Sequence, residues 1–270
     1  MTEPTTHPEI PLTAAGTIAL TVSYDGAPFA GFARQPGQRT VQGSLEDALG
    51  VVCRRPVETV GAGRTDAGVH ALAQVVSFSA RGDEPDDASM QRSLNALVGE
   101  GIVVREVRHA REGFSARFDA VSREYRYRVT KGLVPPLFLR SVAWWVKKPL
   151  DIDAMRTGAS HLIGEHDFRS FCVAESAVRQ RTVRRIEAIE LVAEEHLGEE
   201  CLVVRVVGNA FLHSMVRTLV GTLVEVGVGR RDPAWVVEVL AACDRGAAGP
   251  TAPACGLTLW SVEYPADVWM

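Results

Sequence analysis

The stretch from Val60 to His70 reads Val-Gly-Ala-Gly-Arg-Thr-Asp-Ala-Gly-Val-His and sets one cation and one carboxylate, Arg64 and Asp66, among three glycines within eight residues. Glycine lets a backbone turn sharply and lets a ligand come close. A carboxylate beside an arginine keeps its charge, because the opposite charge favours the ionised form. On a loop between two strands such a carboxylate can serve as a nucleophile. It can equally cap its own loop as an Asx-turn, and the spacing by itself names no reaction. Gly61-Ala-Gly63 starts like a dinucleotide fingerprint but lacks the third glycine, and a strand pattern follows where that motif needs a helix. No Gly-x-x-x-x-Gly-Lys-Ser/Thr phosphate loop occurs, and His161 and His166 do not stand in a His-Glu-x-x-His frame. A glycosidase acting on nucleosides would usually pair two carboxylates, and no second acid stands in the loop.

Rigid elements must flank such a loop. Thr17–Tyr24 is β-branched and closes on Asp25-Gly26, which predicts a strand ending in a turn. Val41, Leu45, Ala48, Leu49 and Val52 recur at helical spacing and predict a helix over Val41–Val52. Val57–Val60 and Ala73–Phe78 predict strands on either side of the loop, Ala88–Val98 a second helix, and Ile102–Val107 and Glu124–Val129 two more strands. In the last of these, Tyr125 and Tyr127 share one face and Arg126 and Arg128 the other. The pattern then begins again: a strand over Val142–Val146, a helix over Ile152–Ile163, and strands over Val183–Val192 and Cys201–Val207. A long apolar helix over Ala210–Val226 follows, then Pro233–Ala242 and a last strand over Leu257–Val262. This is an α+β pattern of two similar mixed halves, 17–132 with Asp66 and 133–270, joined where Pro135, Pro136 and Pro149 punctuate the chain. No residue-level repeat links the halves. Residues 1–16, rich in Thr and Pro, read as a disordered tail.

The five cysteines are odd in number and none is spaced Cys-x-x-Cys, which argues against a zinc site and a disulfide scaffold and fits a reducing cytoplasm. No apolar run approaches the roughly 18 residues of a membrane span. The net charge of -4 argues mildly against nucleic acid, but its distribution does not. Eight basic residues face four acids between Arg105 and Lys131, and Arg179–Arg185 holds four arginines and no acid. Acids gather instead at Asp83–Asp87 and Glu194–Glu200, so a basic face can stand opposite acidic loops. The same arginines could also be solvated strand faces with local ion pairs.

Gly63-Arg64-Thr65-Asp66-Ala67-Gly68-Val69-His70-Ala71, followed by Gln74-Val75, resembles the signature of the TruA family of tRNA pseudouridine synthases. Other segments resemble it in order: Tyr24-Asp25-Gly26 with Phe29, Gly31 and Gln35-Pro36; Thr40-Val41-Gln42-Gly43; Phe114 to Phe118 with Arg123 to Tyr127; His166-Asp167-Phe168; Gly208 to Arg217; and Ala252-Pro253 with Gly256-Leu257. The resemblance spans about Thr17 to Tyr264. It implies the pseudouridine synthase fold, in which antiparallel sheets join into a central sheet with helices on the outer face and a cleft between halves. It also implies isomerisation of uridine to pseudouridine in the anticodon stem-loop, nucleotides 38 to 40, without metal or cofactor, by a cytoplasmic homodimer acting on tRNA.

Residue by residue, the resemblance makes Asp66 the nucleophile or proton-handling carboxylate, and Tyr125 and Leu257 the contacts of the flipped base. Arg64 would hold Asp66 or replace the extruded base. Arg217, on an apolar helix, needs a partner and is expected to pair with Asp66. Phe114, Arg117, Phe118, Arg123, Arg179 and Arg181 are candidates for RNA contact. The chain departs from the family at four positions: Phe32 and Ala33 replace a common Trp-Gln, Cys172 stands where a basic residue is common, and Ser214 replaces a frequent second histidine. A non-catalytic RNA-binding module of similar build is the rival reading. The intact Arg64-Thr65-Asp66, Tyr125 and Arg217 favour the enzyme.

Overall fold

The structure, a computed structural model, describes residues 16–179 and 181–270, so all but the last residue of the expected N-terminal tail lies outside the described residues. Alternation sorts the first strand's side chains onto two faces. In β1 (Thr17–Tyr24), Ile18, Leu20, Val22 and Tyr24 enter the main core, while Ala19 enters a smaller one behind the sheet. The next elements are α1 (Val41–Val52), β2 (Val60–Gly61), β3 (His70–Ser79), α2 (Asp87–Leu97), β4 (Ile102–Ala110) and β5 (Ser122–Lys131). The chain continues through β6 (Trp144–Val146), α3 (Ile152–Ser160), β7 (Gly164–Asp167), α4 (Ala174–Arg179), β8 (Val183–His196) and β9 (Glu199–Gly208). It ends with α5 (Met215–Gly227), α6 (Trp235–Ala242) and β10 (Leu257–Glu263).

The ten strands make one mixed sheet in the order β4-β1-β3-β10-β5-β9-β8-β7, with β2 beside β3 and β6 beside β5. Its pairs are antiparallel except β10 with β3 and β5 with β6. Leu45 and Leu49 of α1, Met90 and Leu94 of α2, Met155 of α3, Leu219 and Leu223 of α5 and Val236 of α6 join Tyr125 and Tyr127 in one buried cluster, so these five helices cover one face. Among the described residues, no helix is long and apolar enough to cross a membrane. The strands of the two expected halves interleave. β10, from the C-terminal half, lies between β3 and β5, and β5, from the N-terminal half, lies between β10 and β9.

Several expected elements differ in extent, β8 by running on to His196 and α3 by ending at Ser160, and two differences bear on the loop and its surroundings. The strand expected at Val57–Val60 shrinks to β2, because Glu46 takes the Thr59 amide at 3.0 Å and removes a ladder donor. The helix expected from Ala210 begins only at Met215. There Phe211 turns aside to pack edge-on against Tyr125, ring centroids 5.1 Å apart. The helix starts also differ. Thr40, Asp86 and Asp151 cap α1, α2 and α3 with their side chains, whereas Ser214, ahead of α5, sits at φ 59° and makes no such cap.

Candidate active site

The glycine-rich loop crosses from β2 to β3 and is tied at each step. Gln74 of β3 donates to the Gly63 carbonyl at 2.7 Å, Phe32 N–H donates to the Thr65 carbonyl at 3.0 Å, and Val69 N–H closes a turn on the Asp66 carbonyl at 3.1 Å. Thr65 points inward, its hydroxyl 2.8 Å from that of Tyr24, so Arg64 before it points outward. Two glycines let other segments press against the loop. A Cβ on Gly26 would lie 2.1 Å from the Val69 carbonyl oxygen, and Gly31, at φ +101°, lies against Thr65 and Asp66.

Asp66 reaches the start of α5. Its Oδ2 accepts from Arg217 Nη1 at 2.7 Å and from Ser214 Oγ at 2.8 Å, while Oδ1 lies 3.2 Å from His213 Nε2. Arg217 is clamped in turn: Nε donates to the Ala252 carbonyl at 2.8 Å, and its own carbonyl accepts from Ala252 N–H at 3.1 Å. The side chains of Arg217 and Asp66 are only 18% and 20% exposed, so water screens the pair weakly. The N-terminal end of α5 adds its partial positive charge. The result is a carboxylate with one oxygen held twice and the other close only to the half-exposed His213.

Tyr125 borders this carboxylate. A Cβ on Gly63 would lie 3.6 Å from its hydroxyl, which makes no hydrogen bond among the described residues. Burial above all, and then the neighbouring Tyr24, push the Tyr125 phenol well above its ordinary value; Arg123 pulls it down, and the charge of Asp66 adds a lesser push upward. Burial likewise pushes Tyr24 up to about 12, against its bonds with Thr65 and Gln74. Both rings are therefore neutral, apolar surfaces at physiological pH. Leu257, at the head of β10, is buried and pairs in register with Tyr127 beside them.

The other expected site residues scatter. Arg64 is exposed and forms no ion pair with Asp66; the inward turn of Thr65 carries it the other way. Phe114 is not an RNA contact but a core residue, buried against Tyr264 and Trp269 with ring centroids 5.1 and 5.2 Å away. Arg123 is not free for phosphate either. It is 8% exposed and donates to the carbonyls of Asn209 (2.6 Å), Arg117 (2.6 Å), Ala62 (3.1 Å) and Ala120 (3.2 Å), and burial lowers its affinity for its proton. Arg117 and Phe118 are exposed and stack on each other, and Arg181 is exposed beyond α4. The side chain of Arg179 lies outside the described residues. Cys172 is fully buried, which leaves no phosphate contact at that position. His213 and Ser214 were visible in the sequence only as family positions. Nothing in their spacing placed them on a carboxylate 148 residues away from Ser214.

A profile described as tRNA pseudouridine synthase matches residues 20–119 and 159–265. Curated proteins named tRNA pseudouridine synthase A are similar along nearly the whole chain. That of Brevibacillus brevis is 46% identical over 243 residues, covering 90% of this chain and 97% of that protein. That of Frankia casuarinae is 46% identical over 258 residues, 93% of this chain and 90% of its own. That of Bacillus subtilis is 43% identical over 254 residues, 92% and 98%.

Proposed function

The chain belongs to the tRNA pseudouridine synthase family, and from that premise we propose that it isomerises uridines of the anticodon stem-loop, nucleotides 38 to 40, through the carboxylate of Asp66. The enzyme is an isomerase that converts uridine in tRNA to pseudouridine. The C1′–N1 bond of the nucleotide breaks, a C1′–C5 bond forms, C5 loses a proton and N1 gains one, so atoms balance without a co-substrate. The observation that carries the assignment to Asp66 is its position on the signature loop, with Oδ2 held by Arg217 at 2.7 Å and Oδ1 met only by His213.

Each remaining role follows from what the residue offers. A base must leave its stack to be reached, and the neutral ring of Tyr125 with Leu257 gives it an apolar rest. Arg64, exposed and unpaired among the described residues, is free to take the place of the extruded base. Arg117, Phe118 and Arg181 are exposed where phosphates and unstacked bases can meet them. The protein works as a cytoplasmic homodimer. The exposed Leu133, Val134, Leu137 and Phe138, close together on one loop, supply apolar surface for a second copy, and the five cysteines are free thiols.

Incubation with unmodified tRNA, without metal or nucleotide, followed by mapping of pseudouridine, tests the assignment. Product confined to nucleotides 38 to 40 is expected; product elsewhere, with none there, contradicts it.

A further inference from the structure

The two oxygens of Asp66 are treated unequally. Oδ2 takes both the Arg217 guanidinium and the Ser214 hydroxyl, whereas Oδ1 meets only His213, whose side chain is 55% exposed. We propose that Ser214 is a positioning residue for the isomerisation: with Arg217 it fixes the Asp66 carboxylate so that Oδ1 is the oxygen presented to the substrate. This rests on the reading of Asp66 as the catalytic carboxylate.

Three observations carry it. A serine ahead of a helix ordinarily accepts a hydrogen bond from a first-turn N–H, as Thr40, Asp86 and Asp151 do ahead of α1, α2 and α3. Ser214 gives up that bond and spends its hydroxyl on Asp66 instead. Its backbone lies in the left-handed region, φ 59° and ψ 11°, which a side-chain-bearing residue occupies only where its surroundings impose it. Those surroundings are the Met215 N–H to Leu212 carbonyl bond and the Thr218 N–H to Ser214 carbonyl bond, both 3.0 Å, which fix the chain on either side. Ser214 and Arg217, three residues apart, reach the same oxygen from one side of the helix start. One donor would leave the carboxylate freer to turn about its Cβ–Cγ bond, whereas two donors on one oxygen restrain that rotation.

The test uses Ser214→Ala and Ser214→Gly in the full-length enzyme, with Asp66→Asn beside them. Both serine variants lose the hydroxyl, but glycine suits the left-handed backbone and alanine does not. Expected is a fall in kcat of about tenfold in both, the worth of one charge-assisted hydrogen bond, with KM for tRNA within about twofold. Ser214→Gly should melt no lower than Ser214→Ala, so that activity and stability part company. A purely structural serine would instead make activity follow the melting temperature, and that result, or a wild-type kcat in Ser214→Gly, overturns the proposal. If Asp66→Asn is inactive while Ser214→Gly turns over normally, only the role of Ser214 falls. If Asp66→Asn stays active, the reading of Asp66 falls and takes this one with it.

Discussion

Two shielded arginines hold the two ends of the same loop. Arg217, in the first turn of α5, ends on the carboxylate of Asp66. Arg123, near the start of β5, ends on four backbone carbonyls, among them that of Ala62. Both are shielded cations, Arg123 the more deeply buried, and residue type does not distinguish them. What they meet does. Neutral carbonyls converging on a guanidinium make a joint that locks the loop to β5 and to the 117–120 turn. A carboxylate facing a guanidinium through one oxygen, with the other met only by a half-exposed histidine, makes a group that can react.

Glutamine at each position, which keeps much of the stem and removes the charge, sharpens the contrast. In Arg217→Gln, kcat per folded molecule should fall on the order of 100-fold, as for loss of a key electrostatic partner. In Arg123→Gln, stability should fall by about 3 kcal/mol, because buried carbonyls lose donors, while kcat per folded molecule changes less than in Arg217→Gln. Thermal melts and steady-state rates on both proteins decide it, and the reverse pattern breaks the comparison.

A pair of aromatics extends the comparison with an effect of similar size on stability. Phe114→Ala should cost about 3–5 kcal/mol and leave the tRNA affinity of the folded protein unchanged, since it opens a cavity beside Tyr264 and Trp269. Phe118→Ala, at an 81% exposed residue, should leave stability within about 0.5 kcal/mol and weaken tRNA binding. Denaturant titration and a binding isotherm for each would reveal an exchange of roles.

Much of this division was beyond the sequence. The β-branched run of Thr17–Tyr24 and the helical spacing of Val41–Val52 set their own boundaries, because period and turn chemistry are local. The signature loop was legible as a loop, and its family as a resemblance. Phe114 and Phe118 sit four apart in one turn-rich segment without periodicity, so nothing local says which one the C-terminal residues Tyr264 and Trp269 will cover. Arg123 looked like surface charge, since its acceptors come from three segments, two of them far off in the chain. The start of α5 was misplaced for a related reason. Ala210–His213 has a helical composition, but Phe211 packs on Tyr125 and Ser214 bonds to Asp66, and both contacts join residues far apart in the chain.

Smaller effects remain on the exposed side of the comparison. Arg117→Ala and Arg181→Ala should each lower the slope of log affinity against log salt by about one or less and weaken tRNA binding, whereas no change in slope would exclude phosphate contact. The smallest effect at neutral pH belongs to Tyr24. Burial raises its phenol from 10.0 to about 12, so the folded state keeps a proton that the unfolded chain releases. Its contribution is complete below pH 10 and is lost as pH rises toward 12, about 1 kcal/mol of it by pH 11. Tyr24→Phe should flatten stability against pH over that window, and an unchanged slope would contradict the sign.

The central claim is that the carboxylate of Asp66 does the chemistry. Single-turnover formation of pseudouridine by Asp66→Asn on prebound, unmodified tRNA measures it most directly, because binding and chemistry are then read separately. tRNA affinity within about twofold of wild type and no pseudouridine over many wild-type half-times is the expected result. Product forming at the wild-type rate on the bound tRNA would contradict it.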